Sequence, residues 1–190
     1  MNLENQNETD KNLVWTEKEK IELLKTPVFT VTQRKSLGPN GIQGTFIVNE
    51  ARDWGVVIPV YEDCFLMVKQ WRHGEKSLSI EFPGGVIEQD EKPEDGVRRE
   101  LLEETGAVAE KLTHLGTVNP NPALFANHFH IFLAEDLSFT GSQKLDKDEF
   151  LNFLKIPKTE VIKKMGSKEY PHALMASALG LYLASNYSQK

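Results

Sequence analysis

The chain has 190 residues, 39% hydrophobic and 26% charged, with 28 acidic against 22 basic side chains and a formal net charge of −6. That suits one soluble globular domain, and two independent domains would be a squeeze. The acidic balance speaks against a nucleic-acid partner, which needs a basic face, though not against a small phosphorylated ligand held by a few local cations. The single cysteine, Cys64, excludes an internal disulfide; a small core side chain in a reducing, cytoplasmic setting is the expectation.

Met1 to Asn12 is polar and expected to fray; it carries Glu4, Glu8 and Asp10 and lacks the apolar stretch of a secretory leader. No run is long enough to span a bilayer, so no membrane partner is expected. Thr16 followed by Glu19 fits a capping box and predicts a short helix through Leu24. Residues 1–27 are thus expected to be tail and short helix, and 28–190 the folded domain. Val28 to Thr32 and Thr45 to Val48 read as antiparallel strands around the turn Gly38-Pro39-Asn40-Gly41.

Gly55 to Tyr61 and Phe65 to Trp71 predict a hairpin turning at Glu62-Asp63, and Leu78 to Phe82 a short strand running into Pro83-Gly84-Gly85. Adjacent glycines let backbone approach a ligand closely. Pro93 opens the clearest helix, with Asp90, Glu91, Glu94 and Asp95 at its positive end, Val97, Leu101 and Leu102 as its apolar stripe, and Gly106 as its stop. Strands follow near Leu112 to Val118, His128 to Leu133 and Phe150 to Ile156, the last after a polar loop from Gly141 to Asp148. Pro157 and Pro171 stand at further helix starts. The expected class is α/β (α+β): a mixed β-sheet sandwiched between helices, with an N-terminal antiparallel segment.

The chemistry concentrates in Arg99-Glu100-Leu101-Leu102-Glu103-Glu104-Thr105-Gly106. On a helix, Glu100, Glu103 and Glu104 share one face. Each like-charge pair costs roughly 0.2–0.5 kcal/mol on an exposed helix, which a divalent cation would remove. Oxygen-only ligands suit a hard ion such as Mg²⁺. Arg99, four residues before Glu103, is placed to hold its carboxylate. A solvated acidic face is the plainer explanation of such a cluster taken alone.

What precedes the cluster changes that balance. Gly85, Glu91, Arg99, Glu100, Glu103, Glu104 and Gly106 fit G-x5-E-x7-R-E-U-x-E-E-x-G-U, where U is bulky and apolar. The stretch from Gly85 to Ala107 resembles the Nudix box of hydrolases acting on nucleoside diphosphates linked to another group. Two departures are Ala107 at the final apolar position and Gly96 inside the helix, which costs roughly 1 kcal/mol of helix propensity relative to alanine. The resemblance implies the Nudix fold, with Mg²⁺ (Mn²⁺ as the alternative) held by Glu100, Glu103, Glu104 and the Gly84 carbonyl. It implies Arg99 and Glu91 as orienting residues, and attack of water on a bridged phosphorus.

Gln70-Trp71-Arg72 with Glu81-Phe82-Pro83-Gly84-Gly85, and Pro122 sixteen positions after Gly106, resemble the ADP-ribose and ADP-sugar pyrophosphatase branch. That branch implies Arg72 on phosphate, Glu81 near the terminal sugar, a base from the loop holding Asp146, Asp148 and Glu149 (Glu149 favoured, Glu104 the rival), and a homodimer exchanging strands 28–50. Products would be AMP and a sugar phosphate. A GDP- or UDP-linked sugar, NADH, a dinucleoside polyphosphate, or a nucleotide sensor without catalysis remain open. His128 and His130 share a strand face and are read as structural, His73 as an exposed surface residue, and Trp15, Trp54 and Trp71 as buried packing.

Overall fold

Gly55 to Tyr61 is apolar at consecutive positions, the pattern of a strand covered on both faces. It lies mid-sheet in the computed structural model, which describes residues 8–141, 143–145, 147 and 149–187. The chain divides into two units. One holds the described residues up to Ala51 with Asn121–Asn127; the other holds Arg52–Pro120 and the described residues from His128 onward.

The first unit is a three-stranded antiparallel sheet, β1 (Thr16–Lys25), β2 (Phe29–Leu37) and β3 (Gln43–Ala51), in the order β1-β2-β3. The helix expected from Thr16 through Leu24 is therefore a strand. A nine-residue helix gains little on its own, whereas β1 gains a full ladder to β2 and cross-strand charge pairs, Glu19 with Lys35 at 2.8 Å and Glu17 with Arg34 at 3.5 Å. Glu8–Leu13 forms a 3-10 turn rather than frayed chain, while Met1 to Asn7 lie outside the described residues. The Pro122 loop bonds to β3, with the Asn49 N–H on the Leu124 carbonyl at 2.7 Å.

The second unit is built on the hairpin β4 (Trp54–Tyr61) and β5 (Cys64–Arg72), which pair only beside their turn and then splay. Beyond that point β4 pairs in parallel with β9 (Phe129–Phe139) and antiparallel with β7 (Gly84–Val86), and β9 carries β8 (Ala107–Val118). β5 pairs antiparallel with β6 (Ser77–Glu81) and β10 (Leu151–Pro157). Cys64, at the turn, is half-buried rather than part of the core.

Alternation along β4 assigns its two faces. Val56 and Ile58 face α2 (Lys158–Lys164) and α3 (Ala173–Tyr187), in a core with Phe65, Phe129, Ile131, Val161, Met175 and Leu179. Val57 faces α1 (Pro93–Thr105), in a core with Leu66, Val97, Leu101 and Phe132. Helices thus cover both faces of a mixed sheet, as expected.

Candidate active site

Pro93 sits at the first turn of α1, and Gly106 ends it at φ 69°, sending its N–H to the Leu102 carbonyl at 2.9 Å. The buried face between them differs from the expected apolar stripe. Leu102 is only half-buried, and the position three beyond Leu101 is taken by the carboxylate of Glu104, 1% exposed. A carboxylate can lie there because backbone receives it: the Gly84 N–H donates to Glu104 Oε2 at 2.8 Å. Gly84 has φ +154°, and a side chain there would overlap the Gly55 carbonyl oxygen. A β-carbon at Gly85 would displace the Glu100 carboxylate from its place.

Arg99 organises the rest of the helix face. Its Nη1 donates to Glu100 Oε1 at 2.9 Å and to Glu103 Oε2 at 3.0 Å. Its Nε and Nη2 clasp Glu91 at 3.1 and 3.2 Å, and Nη2 also reaches the Val86 carbonyl. The planar fork of arginine makes such a five-donor hub geometrically possible. Glu91 lies off the main cavity and holds Arg99 from behind.

Burial pushes the Glu104 carboxyl up to about 9; the charges of Glu100 and Glu149 add to the effect, while the Gly84 N–H and Arg72 oppose it. Burial also raises Glu100, against the pull of Arg99. The loop before β10 is docked on the end of α1: the Lys144 N–H bonds the Glu103 carbonyl at 2.9 Å and the Gln143 amide bonds the Glu104 carbonyl, so two terminal helix carbonyls are satisfied. Glu149, at the end of this loop, lies at the cavity wall. Asp146 and Asp148, the other acids of this loop, lie outside the described residues.

Opposite α1, the period-two alternation of β5 and β6 puts Gln70, Arg72 and Glu81 on one face. Arg72 Nε donates to Glu81 Oε1 at 2.8 Å and Nη2 to Oε2 at 2.5 Å. Burial alone would raise the Glu81 carboxyl; the paired guanidinium outweighs it and holds the group below the usual range. The residues expected to touch phosphate and sugar are therefore bonded to each other. Arg72 Nη1 has no protein partner among the described residues, which leaves a donor free for an anion.

These walls enclose a cavity of about 610 Å³ that gathers Arg72, Glu81, Gly84, Arg99, Glu100, Glu103, Glu104 and Glu149. It is also lined by residues the sequence reading did not assign to it: Arg52, Phe129, His172, Leu174 and Met175. Trp54, expected as packing, is half-buried and lines the cavity, whereas Trp71 points the other way on β5 and is 49% exposed. Trp15 is 41% exposed and stacks edge-on against Phe46. His73 is exposed. His130 Nε2 lies 3.1 Å from Asp53 Oδ2, and the backbone N–H of His128 donates to Asp53 Oδ1 at 2.7 Å.

Among the described residues no three carboxylate, imidazole or thiolate groups converge into a ready-made metal cage. Glu100 and Glu103 are turned to Arg99, and Glu104 to Gly84. The donor set nevertheless fits a hard divalent cation. It is oxygen only, and Mg²⁺ takes one or two protein carboxylates while keeping waters and substrate phosphate. Glu104 sits buried beside two like charges, a potential that a cation relieves.

Residues 51–174 match the NUDIX domain. The chain is 36% identical over 119 residues to the ADP-ribose pyrophosphatase of Bacillus subtilis (strain 168), covering 62% of this chain and 64% of that protein. It is 27% identical over 130 residues to the ADP compounds hydrolase NudE of Escherichia coli (strain K12), covering 68% and 69%. The chain thus spans somewhat less than two thirds of the length of the Bacillus relative. A crystal structure of an ADP compounds hydrolase shares the fold at a TM-score of 0.80 and 23% identity, over 92% of this chain and 95% of that one. With the family's domain matched over most of the chain, and Gly85, Arg99, Glu100, Glu103 and Glu104 of its pattern lining one cavity, the protein belongs to the Nudix family.

Proposed function

We propose that the chain is a Mg²⁺-dependent pyrophosphohydrolase acting on ADP-ribose or another ADP-sugar, with AMP and a sugar phosphate as products. The observation that carries this reading is the buried Glu104 beside Glu100 and Glu149, facing a cavity whose opposite wall holds Arg72. The names of the two relatives supply the ADP-linked substrate class.

Glu100, Glu103, Glu104 and the Gly84 carbonyl would hold the cation, Mg²⁺ or Mn²⁺. When bound, it neutralises charge developing on the phosphoryl oxygens and lowers the pKa of the attacking water. Arg99, braced by Glu91, orients Glu100 and Glu103. Glu149 takes the proton of the water that attacks phosphorus. The P–O–P bond breaks and the bridging oxygen leaves on one product, so both products are phosphomonoesters. Arg72 places its free donor on a diphosphate oxygen, and Glu81 fixes the guanidinium plane.

A homodimer belongs to the same reading. A three-stranded sheet gains independent stability only by burying an apolar face. The first unit exposes Leu23, Leu24, Ile42, Phe46 and Ile47, apolar surface that exchange with a second copy would bury. No described helix is long and apolar enough to cross a membrane, and the net charge is −6; both accord with a cytoplasmic enzyme on small nucleotides.

The test is product analysis on ADP-ribose, GDP- and UDP-sugars, NADH and dinucleoside polyphosphates, each with Mg²⁺ and with EDTA. Release of AMP from ADP-ribose that EDTA abolishes is the expected result. Cleavage of another member alone would discard the substrate assignment and keep the chemistry, while binding without cleavage would indicate a sensor. Glu149→Gln is expected to lower kcat about 10²-fold and to remove the acidic limb of the pH–rate profile. An unaltered profile would pass the base role to Glu104.

A further inference from the structure

His172 lies in the short segment that leads into α3, and two hydrogen bonds from the backbone on either side of Glu81 hold that segment beside it. Three residues before it, the Glu169 carbonyl accepts from the Ile80 N–H at 2.8 Å. Three residues after it, Met175 Sδ accepts from the Phe82 N–H at 3.3 Å. Residues 169–175 therefore run alongside residues 80–82, and His172 meets the Arg72–Glu81 pair at the cavity wall.

The ring is also oriented. The Leu174 N–H donates to His172 Nδ1 at 3.2 Å, so Nδ1 is the acceptor and a neutral ring carries its proton on Nε2. Nε2 has no protein partner among the described residues. Burial holds the imidazole below the usual histidine range; the charge of Glu81 opposes this and that of Arg72 reinforces it. The cavity lining thus holds a neutral imidazole with an unpartnered N–H and a guanidinium with an unpartnered donor, both among the described residues.

We propose that the Nε2–H of His172 donates a hydrogen bond to an oxygen of the phosphorylated-sugar half of the substrate, so that this imidazole sets affinity for the sugar; the inference rests on the ADP-sugar reading above. A neutral donor suits sugar hydroxyls and phosphate oxygens alike, and the site already places the cationic donor next to it.

The plainer role for His172 is to cap α3, and two variants separate the roles. His172→Asn keeps an acceptor in the Nδ1 position, and asparagine is among the best N-caps, but it loses the donor that reaches the cavity. His172→Gln keeps a donor near the Nε2 position and gives up the cap. Titration calorimetry of ADP-ribose and of AMP, on the full chain in EDTA, reads binding without turnover, and thermal melting reads the cap. For His172→Asn we expect an unchanged Tm, ADP-ribose weakened between about three- and ten-fold, as for one neutral hydrogen bond, and AMP unaffected. His172→Gln should melt lower yet recover most of the ADP-ribose affinity. Wild-type affinity in His172→Asn would leave the imidazole as a cap only, and equal weakening of AMP would overturn the sugar-half assignment. A wild-type protein that shows these responses but does not cleave ADP-ribose with Mg²⁺ would sink the hydrolysis and keep this contact. A wild-type protein that binds no ADP-ribose in EDTA would overturn this contact, and one that also releases no AMP from it with Mg²⁺ would overturn both.

Discussion

Glu104→Gln is expected to lower kcat by at least about 10²–10³-fold while leaving the metal-free protein as stable as wild type. The two halves of that expectation come from one fact. Glu104 is 1% exposed, and its carboxyl is pushed up to about 9 by burial and by the charges of Glu100 and Glu149. Without a cation it is therefore neutral at pH 7, and glutamine offers the same shape, the same charge and a carbonyl oxygen for the Gly84 N–H. With the cation the wild-type group gives up its proton and becomes a ligand, as metal binding requires; glutamine cannot follow. Melting in EDTA should coincide for the two proteins, and the rise in Tm on adding Mg²⁺ should be smaller in the variant. A variant that turns over within a few-fold of wild type would remove Glu104 from the metal site.

Much of this architecture was legible because it is local. Pro93 and Gly106 bracket α1, and the i, i+3, i+4 spacing of Glu100, Glu103 and Glu104 needs only helical geometry to become one face. β4 and β5 announce themselves as apolar runs around a two-residue turn. The residues that were misread depend on partners far along the chain. Thr16 to Leu24 has the composition of a helix, and only the ladder to β2 and the charges at Arg34 and Lys35 make it a strand. The burial of Glu104 in place of Leu102 follows from the Gly84 N–H, twenty residues away and on a different element. A stripe drawn from hydrophobicity alone always chooses the leucine.

The cavity follows the same rule. Arg72 and Glu81 were both singled out, yet their mutual pairing emerges only from the β5–β6 register, which puts them on one face. Trp54 and Trp71 show how little residue type decides. Trp54 lines the cavity, while Trp71 sits on the opposite face of β5 from Arg72 and meets solvent. His172 is separated from Glu81 by two helices, four strands and several loops, and joins it through the Glu169 to Ile80 backbone bond. Its one sequence signal was Pro171 before a helix start, a mark of the element and not of the site.

Arg72→Met should be the most destabilising substitution on the cavity wall, because it strands a carboxylate that is 1% exposed. Removing one member of a buried pair costs about 3–5 kcal/mol; Arg72 is itself 43% exposed, so water screens part of the pair and the lower figure applies. For a chain of this size that lowers Tm by about 6–12 °C. The pH dependence carries a sign that identifies the cause. In the wild type the Glu81 carboxyl lies below its ordinary value, so the pair's contribution is complete above the carboxylate range and is lost as pH falls through the folded value. In Arg72→Met burial is opposed only by the weaker pulls of Ser79 and His172 and lifts Glu81 above its ordinary value, so the folded state then holds the proton more tightly and this group's contribution falls as pH rises through the carboxylate range. The deficit against wild type should thus grow from pH 3 to pH 7 in melting curves. Arg72→Met combined with Glu81→Gln should recover most of the lost stability, since the stranded charge is gone, yet it should not recover KM, because the donor to the diphosphate is still missing. Equal destabilisation in the single and double variants would mean that Arg72 stabilises through packing of its stem, and that Glu81 tolerates solitude in this wall.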